Sequence, residues 1–169
     1  MELELIGFGE LDGVELLQKL PIFSKLTFEE TSRLAAILQN HEVPPDTIVI
    51  EENSLGDALY VIKQGEVKVS RNANDDGVHD DSEELGRLGP GELFGEMSLV
   101  DDLLTSARVT STTPCKLLKL PRADFEMLLA SEDRFAVKVF RAFCRSLSDR
   151  LRRANQQLAG NAALPTTVK

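Results

Sequence analysis

The sequence predicts a mostly β protein with flanking helices: an antiparallel β-roll, a jelly-roll-like barrel, with N-terminal helices and a long C-terminal helix. Three observations carry that expectation. Between Glu42 and Leu120 short β-branched runs alternate with turn residues, an amphipathic segment with helix-start chemistry precedes them, and a long apolar stripe follows them. The 169 residues suffice for one sizeable core.

Residues 1–15 read as an N-terminal extension. Leu16, Leu17, Leu20, Phe23 and Leu26 then give a leading helix and turn, interrupted at Pro21. Thr27 is an N-cap, and Glu30 completes a capping box ahead of Leu34, Ala35, Ile37 and Leu38. His41 is placed at the end of that helix. Strands follow at Thr47–Ile50, Leu59–Ile62 and Val67–Val69, with Gly56 and Gly65 supplying positive backbone angles in hairpins and Asp46 tolerating its turn.

The stretch between Arg71 and Glu84 is too polar for a core strand and reads as an exposed, mobile hairpin loop. His79 stands there among Asp75, Asp76, Asp80 and Asp81. The alternating ligands and distal glutamate of a calcium loop are missing, so the run reads as solvated charge and no metal site is nominated. Cys115 and Cys144 fall in a strand and a helix, without metal-type spacing, and both are expected to be buried reduced thiols.

From Glu132 to Leu158 the pattern is a helix of about seven turns, ending before Gly160 and Pro165. Val137, Phe140, Cys144, Leu147, Leu151, Ala154 and Leu158 form an a/d stripe, surrounded by Arg141, Arg145, Arg150, Arg152 and Arg153. The first half, through Phe140, is expected to pack on the roll. The helix outruns the roll, so its second half is expected to meet a partner. Domain bounds follow: 16–131 for the roll with its N-terminal helices, 132–158 for the capping or dimerisation helix, and 159–169 for a flexible tail.

A formal charge of -9 disfavours nonspecific binding to nucleic acid or anionic membrane, since both depend on basic surface. No window approaches the roughly eighteen apolar residues of a membrane span, and no basic segment precedes an apolar run at the start. A soluble, cytoplasmic protein is expected. No paired acid and base or activated nucleophile stands out, so no enzyme is expected and no cofactor is implied.

The most informative stretch is Gly89 to Val109. Gly95 lets the backbone approach a ligand closely, and free N–H groups at the start of the following turn make a small anion site. Glu96 would be poor against phosphate but is a good acceptor for sugar hydroxyls. Phosphate plus ribose is the ligand this combination describes.

At these residues the chain resembles the phosphate-binding cassette of the cyclic nucleotide-binding domain, the module of the catabolite activator family, protein kinase A regulatory subunits and nucleotide-gated channels. Phe94 to Leu99 match the first half of its pattern, Phe-Gly-Glu, Leu or Met, Ala or Ser, Leu. Ser54 to Val67, and the order Leu-x-x-x-Pro-Ile-Phe-x-x-Leu ahead of the first helix, are similar as well. The resemblance covers roughly Leu16 to Leu158. It implies a regulatory module that binds cAMP or cGMP through Phe94, Gly95, Glu96, Met97, Ser98, Thr105, Ser106, Ala107 and Arg108, with backbone N–H groups at Gly95, Met97 and Ser98. Glu96 would take the ribose hydroxyl, and Thr105 and Ser106 the phosphate. It also implies a homodimer through the last helix and relay to an unidentified protein partner.

One departure stands out: Thr105 occupies the place of the arginine that pairs with the cyclic phosphate, a loss expected to weaken binding. Three outcomes stay open. Arg108 substitutes, although strand alternation puts it on the opposite face from Ala107 and Val109; backbone and hydroxyl groups hold a cyclic nucleotide weakly; or the cassette is a ligand-free relic in a dimerisation or protein-docking scaffold. Only Asn161 to Lys169 follow where the activator family continues into a winged helix-turn-helix, so a freestanding sensor or adaptor is expected.

Overall fold

The computed structural model describes residues 13–72, 82–97 and 104–161. Helices α1 (Gly13–Lys19) and α2 (Phe28–Ala36) lead into strands β1 (Gln39–Val43), β2 (Ile48–Ile50), β3 (Ala58–Gln64) and β4 (Val67–Asn72). Strands β5 (Ser82–Leu88), β6 (Leu93–Phe94), β7 (Arg108–Ser111) and β8 (Cys115–Pro121) follow, then helices α3 (Arg122–Ser131) and α4 (Asp133–Asn161). The strands form two four-stranded antiparallel sheets, in the orders β1-β8-β3-β6 and β2-β7-β4-β5. This is the expected roll, built of two sheets.

Strand β3 explains why the core divides in two. Its residues Ala58 to Ile62 are all buried, because alternation sends Tyr60 and Ile62 to one face and Leu59 and Val61 to the other. Tyr60 and Ile62 meet Val67, Phe94, Val109 and Leu117 in one cluster. Leu59 and Val61 join Leu16, Leu34, Phe125, Phe135, Val139 and Phe143 beneath the helices. A strand buried on both faces reads as a continuous apolar run, which is how Leu59–Ile62 reads in the sequence.

The capping box of α2 forms as expected. The Glu30 amide donates to Thr27 Oγ1 at 3.2 Å, and the Thr27 amide donates to Glu30 Oε2 at 2.7 Å. Glu30 also receives Lys138 Nζ of α4 at 2.6 and 2.8 Å. One buried carboxylate thus starts α2 and fastens α4 to it. Burial alone would push the Glu30 carboxyl up, but the Lys138 ammonium and the Thr27 amide outweigh it and hold the carboxyl below its usual range.

Several expectations are corrected here. His41 lies within β1, opposite Leu117 of β8, and not at a helix end, because α2 stops at Ala36 and the chain turns directly into a strand pair. Gly65 has a positive φ of 93°, as do Asp46 and Asn53 at 56°, but Gly56 does not. Arg71, Asn72 and Ser82 to Glu84 belong to the β4–β5 ladder, which holds polar residues through its backbone bonds. The His79 run lies outside the described residues.

The long helix also differs. It runs past Gly160 to Asn161, and the face it packs on the roll is Phe135, Val139, Ala142 and Phe143. Val137 and Phe140, expected against the roll, are 55% and 41% exposed, and Leu151 is 62% exposed. Spacing at i, i+4 and i+8 marks Phe135, Val139 and Phe143 as the inward row, one position away from the heptad stripe. Cys115 is buried as expected, but Cys144 is exposed. Among the described residues no helix is long and apolar enough to cross a membrane.

Replacing Glu30 with Gln should cost about 1–2 kcal/mol, from loss of the ion pair and weakening of the capping box. Because the folded carboxyl titrates below its ordinary 4.5, this stabilisation is complete above that pH and is lost as pH falls through the lowered value. Urea unfolding of both proteins at neutral and acid pH checks it, with the difference expected to shrink in acid.

Candidate functional site

The short ribbon of β2 and β7 carries the far side of the cassette, and buried hydroxyls hold both its ends. At one end Ser111 Oγ accepts from the Thr47 amide at 3.0 Å and donates to the Pro44 carbonyl at 2.6 Å, while the Asp46 amide reaches the Ser111 carbonyl at 2.8 Å. At the other end Thr105 Oγ1 donates to the Glu51 carbonyl at 2.5 Å and accepts from the Ser54 amide at 3.0 Å. Backbone bonds of 2.9 Å from the Asn53 amide to the Thr105 carbonyl, and from the Thr105 amide to the Ser54 carbonyl, complete the knot. Ser54 Oγ lies 3.3 Å from Thr105 Oγ1 as well.

The near side is set by β6. The Gly91 amide donates to the Ile62 carbonyl at 2.8 Å, and the Ile62 amide to the Glu92 carbonyl at 3.0 Å, so the turn before β6 is pinned to β3. Phe94 then stacks on Tyr60, with ring centroids 5.1 Å apart and planes 12° apart. Burial, with Asp57 adding to it, pushes the Tyr60 phenol up and keeps it neutral. Gly95 follows with φ of 83°, and a Cβ there would stand 2.6 Å from the Ala58 carbonyl oxygen and 3.1 Å from Ile50 Cδ1. No other residue fits this approach between β2 and β3 without strain.

The next residue, Glu96, is only 2% exposed, and Met97 beyond it is 47% exposed. Ser98 lies outside the described residues. Ser106 Oγ sits 3.8 Å from Met97 Sδ, which brings the two arms of the cassette together. Ala107 is half-buried, and Val109 enters the core between the sheets. Arg108 projects from the opposite face of β7, as alternation requires, and its Nη2 donates to Glu51 Oε1 at 2.6 Å. Its Nε is buried with no hydrogen-bond partner among the described residues.

The structure thus brings Ser106 against the arm of Phe94, Gly95, Glu96 and Met97 through the Ser106–Met97 contact, with Ala107 next in the chain. It assigns the Thr105 hydroxyl to the protein's own backbone and pairs Arg108 with Glu51.

A cleft of about 720 Å³ opens between the β4–β5 hairpin, the segment Leu20 to Lys25 and α4. Val69, Leu85 and Leu88 face it from the hairpin, and Ala142, Arg145 and Asp149 from the helix. Leu85 reaches it through a β-bulge: Val69 opposes Gly86 and Ser70 opposes Glu84, leaving Leu85 as the extra residue. Val69 pairs with Val109, which also pairs with Ile50 beside Gly95, so cleft and cassette share a floor. Sequence reasoning missed the cleft, because its walls come from three segments far apart in sequence, Leu20 to Lys25, the β4–β5 hairpin and α4, which only the fold brings together.

The profile of the cyclic nucleotide-binding domain matches residues 40–132, and the chain belongs to that family. A cAMP-dependent protein kinase regulatory subunit of Yarrowia lipolytica is 36% identical over 67% of this chain and 28% of its own length. The crystal structure of the Thermus thermophilus catabolite activator protein superposes with a TM-score of 0.69 at 32% identity, covering 84% of this chain and 63% of that one. The regulatory subunit of a cAMP-independent protein kinase A from Trypanosoma cruzi, bound to guanosine, superposes with a TM-score of 0.69 at 25% identity, covering 89% of this chain and 50% of that one. The curated relative thus extends well beyond the span it has in common with this chain.

Thr105→Val keeps the shape of the side chain but leaves the Ser54 amide and the Glu51 carbonyl without their partner. It should cost about 1–3 kcal/mol in urea unfolding and speed hydrogen exchange at the Ser54 amide.

Proposed function

We propose that the chain is a non-enzymatic regulatory module that binds a cyclic nucleotide, cAMP or cGMP, ribose first, and signals through α4 to a protein partner. The observation that carries this reading is the buried Glu96 carboxylate, set directly behind the constrained turn at Gly95. A carboxylate held there is an acceptor for ribose hydroxyls, and the backbone N–H of Met97 offers a donor to a phosphate. The base extends toward Val69, Leu85 and Leu88, under α4. Relatives described as cAMP-dependent and as guanosine-bound support the element common to both ligands, a ribose carrying a purine.

Affinity for the cyclic phosphate is modest in this reading, because Thr105 offers no guanidinium fork. The stripe of Val137, Phe140, Cys144 and Leu151, solvent-facing on α4, supports a homodimer through that helix and a surface whose position changes with the ligand. A second reading, a ligand-free dimerisation or docking scaffold, draws on the use of the Thr105 hydroxyl within the protein.

Calorimetric titration with cAMP and cGMP to millimolar concentration, with AMP as control, tests the site. Saturable binding of a cyclic nucleotide over AMP, abolished by Glu96→Ala, is expected; unchanged affinity in the variant removes Glu96 from the site. Silence from folded wild-type protein leaves the scaffold. Sedimentation of the same samples should show a dimer that Phe140→Glu dissociates, and a monomeric wild type at high concentration would contradict the dimer.

A further inference from the structure

Helix α4 reverses the charge of the chain that carries it. From Asp133 to Asn161 seven residues are Arg or Lys and two are acidic, within a protein of net charge -9. Lys138 is bonded to Glu30 of α2. Arg141, Arg145 and Arg152 are exposed, and among the described residues none of them meets a carboxylate; Arg152 Nη2 donates to the Ser148 hydroxyl at 3.1 Å. Each follows an exposed residue of the apolar row, Phe140, Cys144 or Leu151. One position is about 100° of helix turn, so the inward row of Val139 and Phe143, the apolar row of Phe140 and Cys144, and the guanidinium row lie side by side in that order. From Arg141 to Arg152 the guanidinium row runs about 16 Å along the helix, at roughly 1.5 Å per residue.

A second copy of the chain does not neutralise this row. With Val137 and Phe140 at the seam of a parallel pair, the positions brought to the Arg141 side are Ala136, Phe143 and Arg150, and in an antiparallel pair the row meets its own copy. Neither arrangement supplies a carboxylate. A nucleic acid or an anionic bilayer carries its charge well beyond the ends of the row, where the acidic body of the chain repels it. A helix is narrow enough to lie on the row alone. We propose that the guanidinium row of α4 docks an acidic amphipathic helix of a partner protein, its carboxylates at matching four- and seven-residue spacing against Arg141, Arg145 and Arg152. The inference rests on the reading of α4 as the relaying helix and names the chemistry of its partner. Arg145 also lines the cleft, so the docking row and the cleft share a residue.

Fluorescence anisotropy on the full chain decides it, with a labelled designed helix of about three heptads that carries leucine on one edge and glutamate beside it, and the same helix with lysine for glutamate. The glutamate helix should bind saturably, on the order of tenfold or more tighter than the lysine helix, which is the combined scale of three exposed ion pairs, and should weaken as salt rises. The double variant Arg141→Glu/Arg152→Glu, which keeps Arg145 at the cleft, should erase that preference; Arg141→Gln/Arg152→Gln repeats the test without charge reversal should the first variant not fold. Equal binding of the two helices, or a preference that survives the folded variants, overturns the inference. Duplex RNA or phosphatidylserine vesicles that bind the wild type more tightly than the glutamate helix assign the row to those surfaces and overturn it as well. Silence toward both helices from protein that still binds a cyclic nucleotide overturns this inference and leaves the ligand site standing; silence toward helices and nucleotides together overturns both.

Discussion

The Thr105 hydroxyl ties the exit of the cassette to a segment more than fifty residues away in sequence. It gives its proton to the Glu51 carbonyl at 2.5 Å and receives the Ser54 amide at 3.0 Å, where the chain passes Asn53 at a positive φ of 56°. Ser111 does the same work at the other end of β7. Between the two hydroxyls lies a ribbon whose β2 strand has three residues, too short to be stable by its own ladder. With its ends fixed, the ribbon sets Ile50 against Gly95 and Val109 against Val69, and so fixes the floor on which the cassette and the cleft are built.

That arrangement has an electrostatic consequence. The resembled pattern implies an arginine where this chain has the buried Thr105 hydroxyl, and Arg108 pairs with Glu51. Glu96 is buried directly behind Gly95. Fixing α4 to α2 through Lys138 and Glu30 holds the helix's inward row under the roll while its other apolar row faces solvent. Arg145 and Asp149 of the same helix line the cleft, so a ligand there would touch α4 directly.

Much of this was legible in the sequence where the determinants are local. Thr27 and Glu30 announce the start of α2, and the α2 capping box forms as written. Gly95 announces the tight turn and Leu59 to Ile62 announce a strand, while the burial of Glu96 and of both faces of that strand emerges only in the fold. What the sequence hid depends on long-range pairing. His41 looks helical until β8 captures its segment, and the polar β4–β5 ladder owes its structure to backbone bonds that leave no apolar pattern. On α4 two apolar rows run side by side, and only the roll decides that Phe135, Val139 and Phe143 are the ones buried. The role of Thr105 was hidden for the same reason, since its partners lie in another turn.

The central claim is that the cassette around Gly95 and Glu96 is a ribose-anchored ligand site. Amide resonances followed by nuclear magnetic resonance during titration with a purine nucleoside and with cGMP would test it most directly. The account predicts saturable shifts centred on Gly95 to Met97 and extending to Val69 and Leu88, with the amide of Ser54 nearly unmoved because its bond to Thr105 persists. Cassette amides that stay in place at millimolar ligand, in a folded protein, would contradict it.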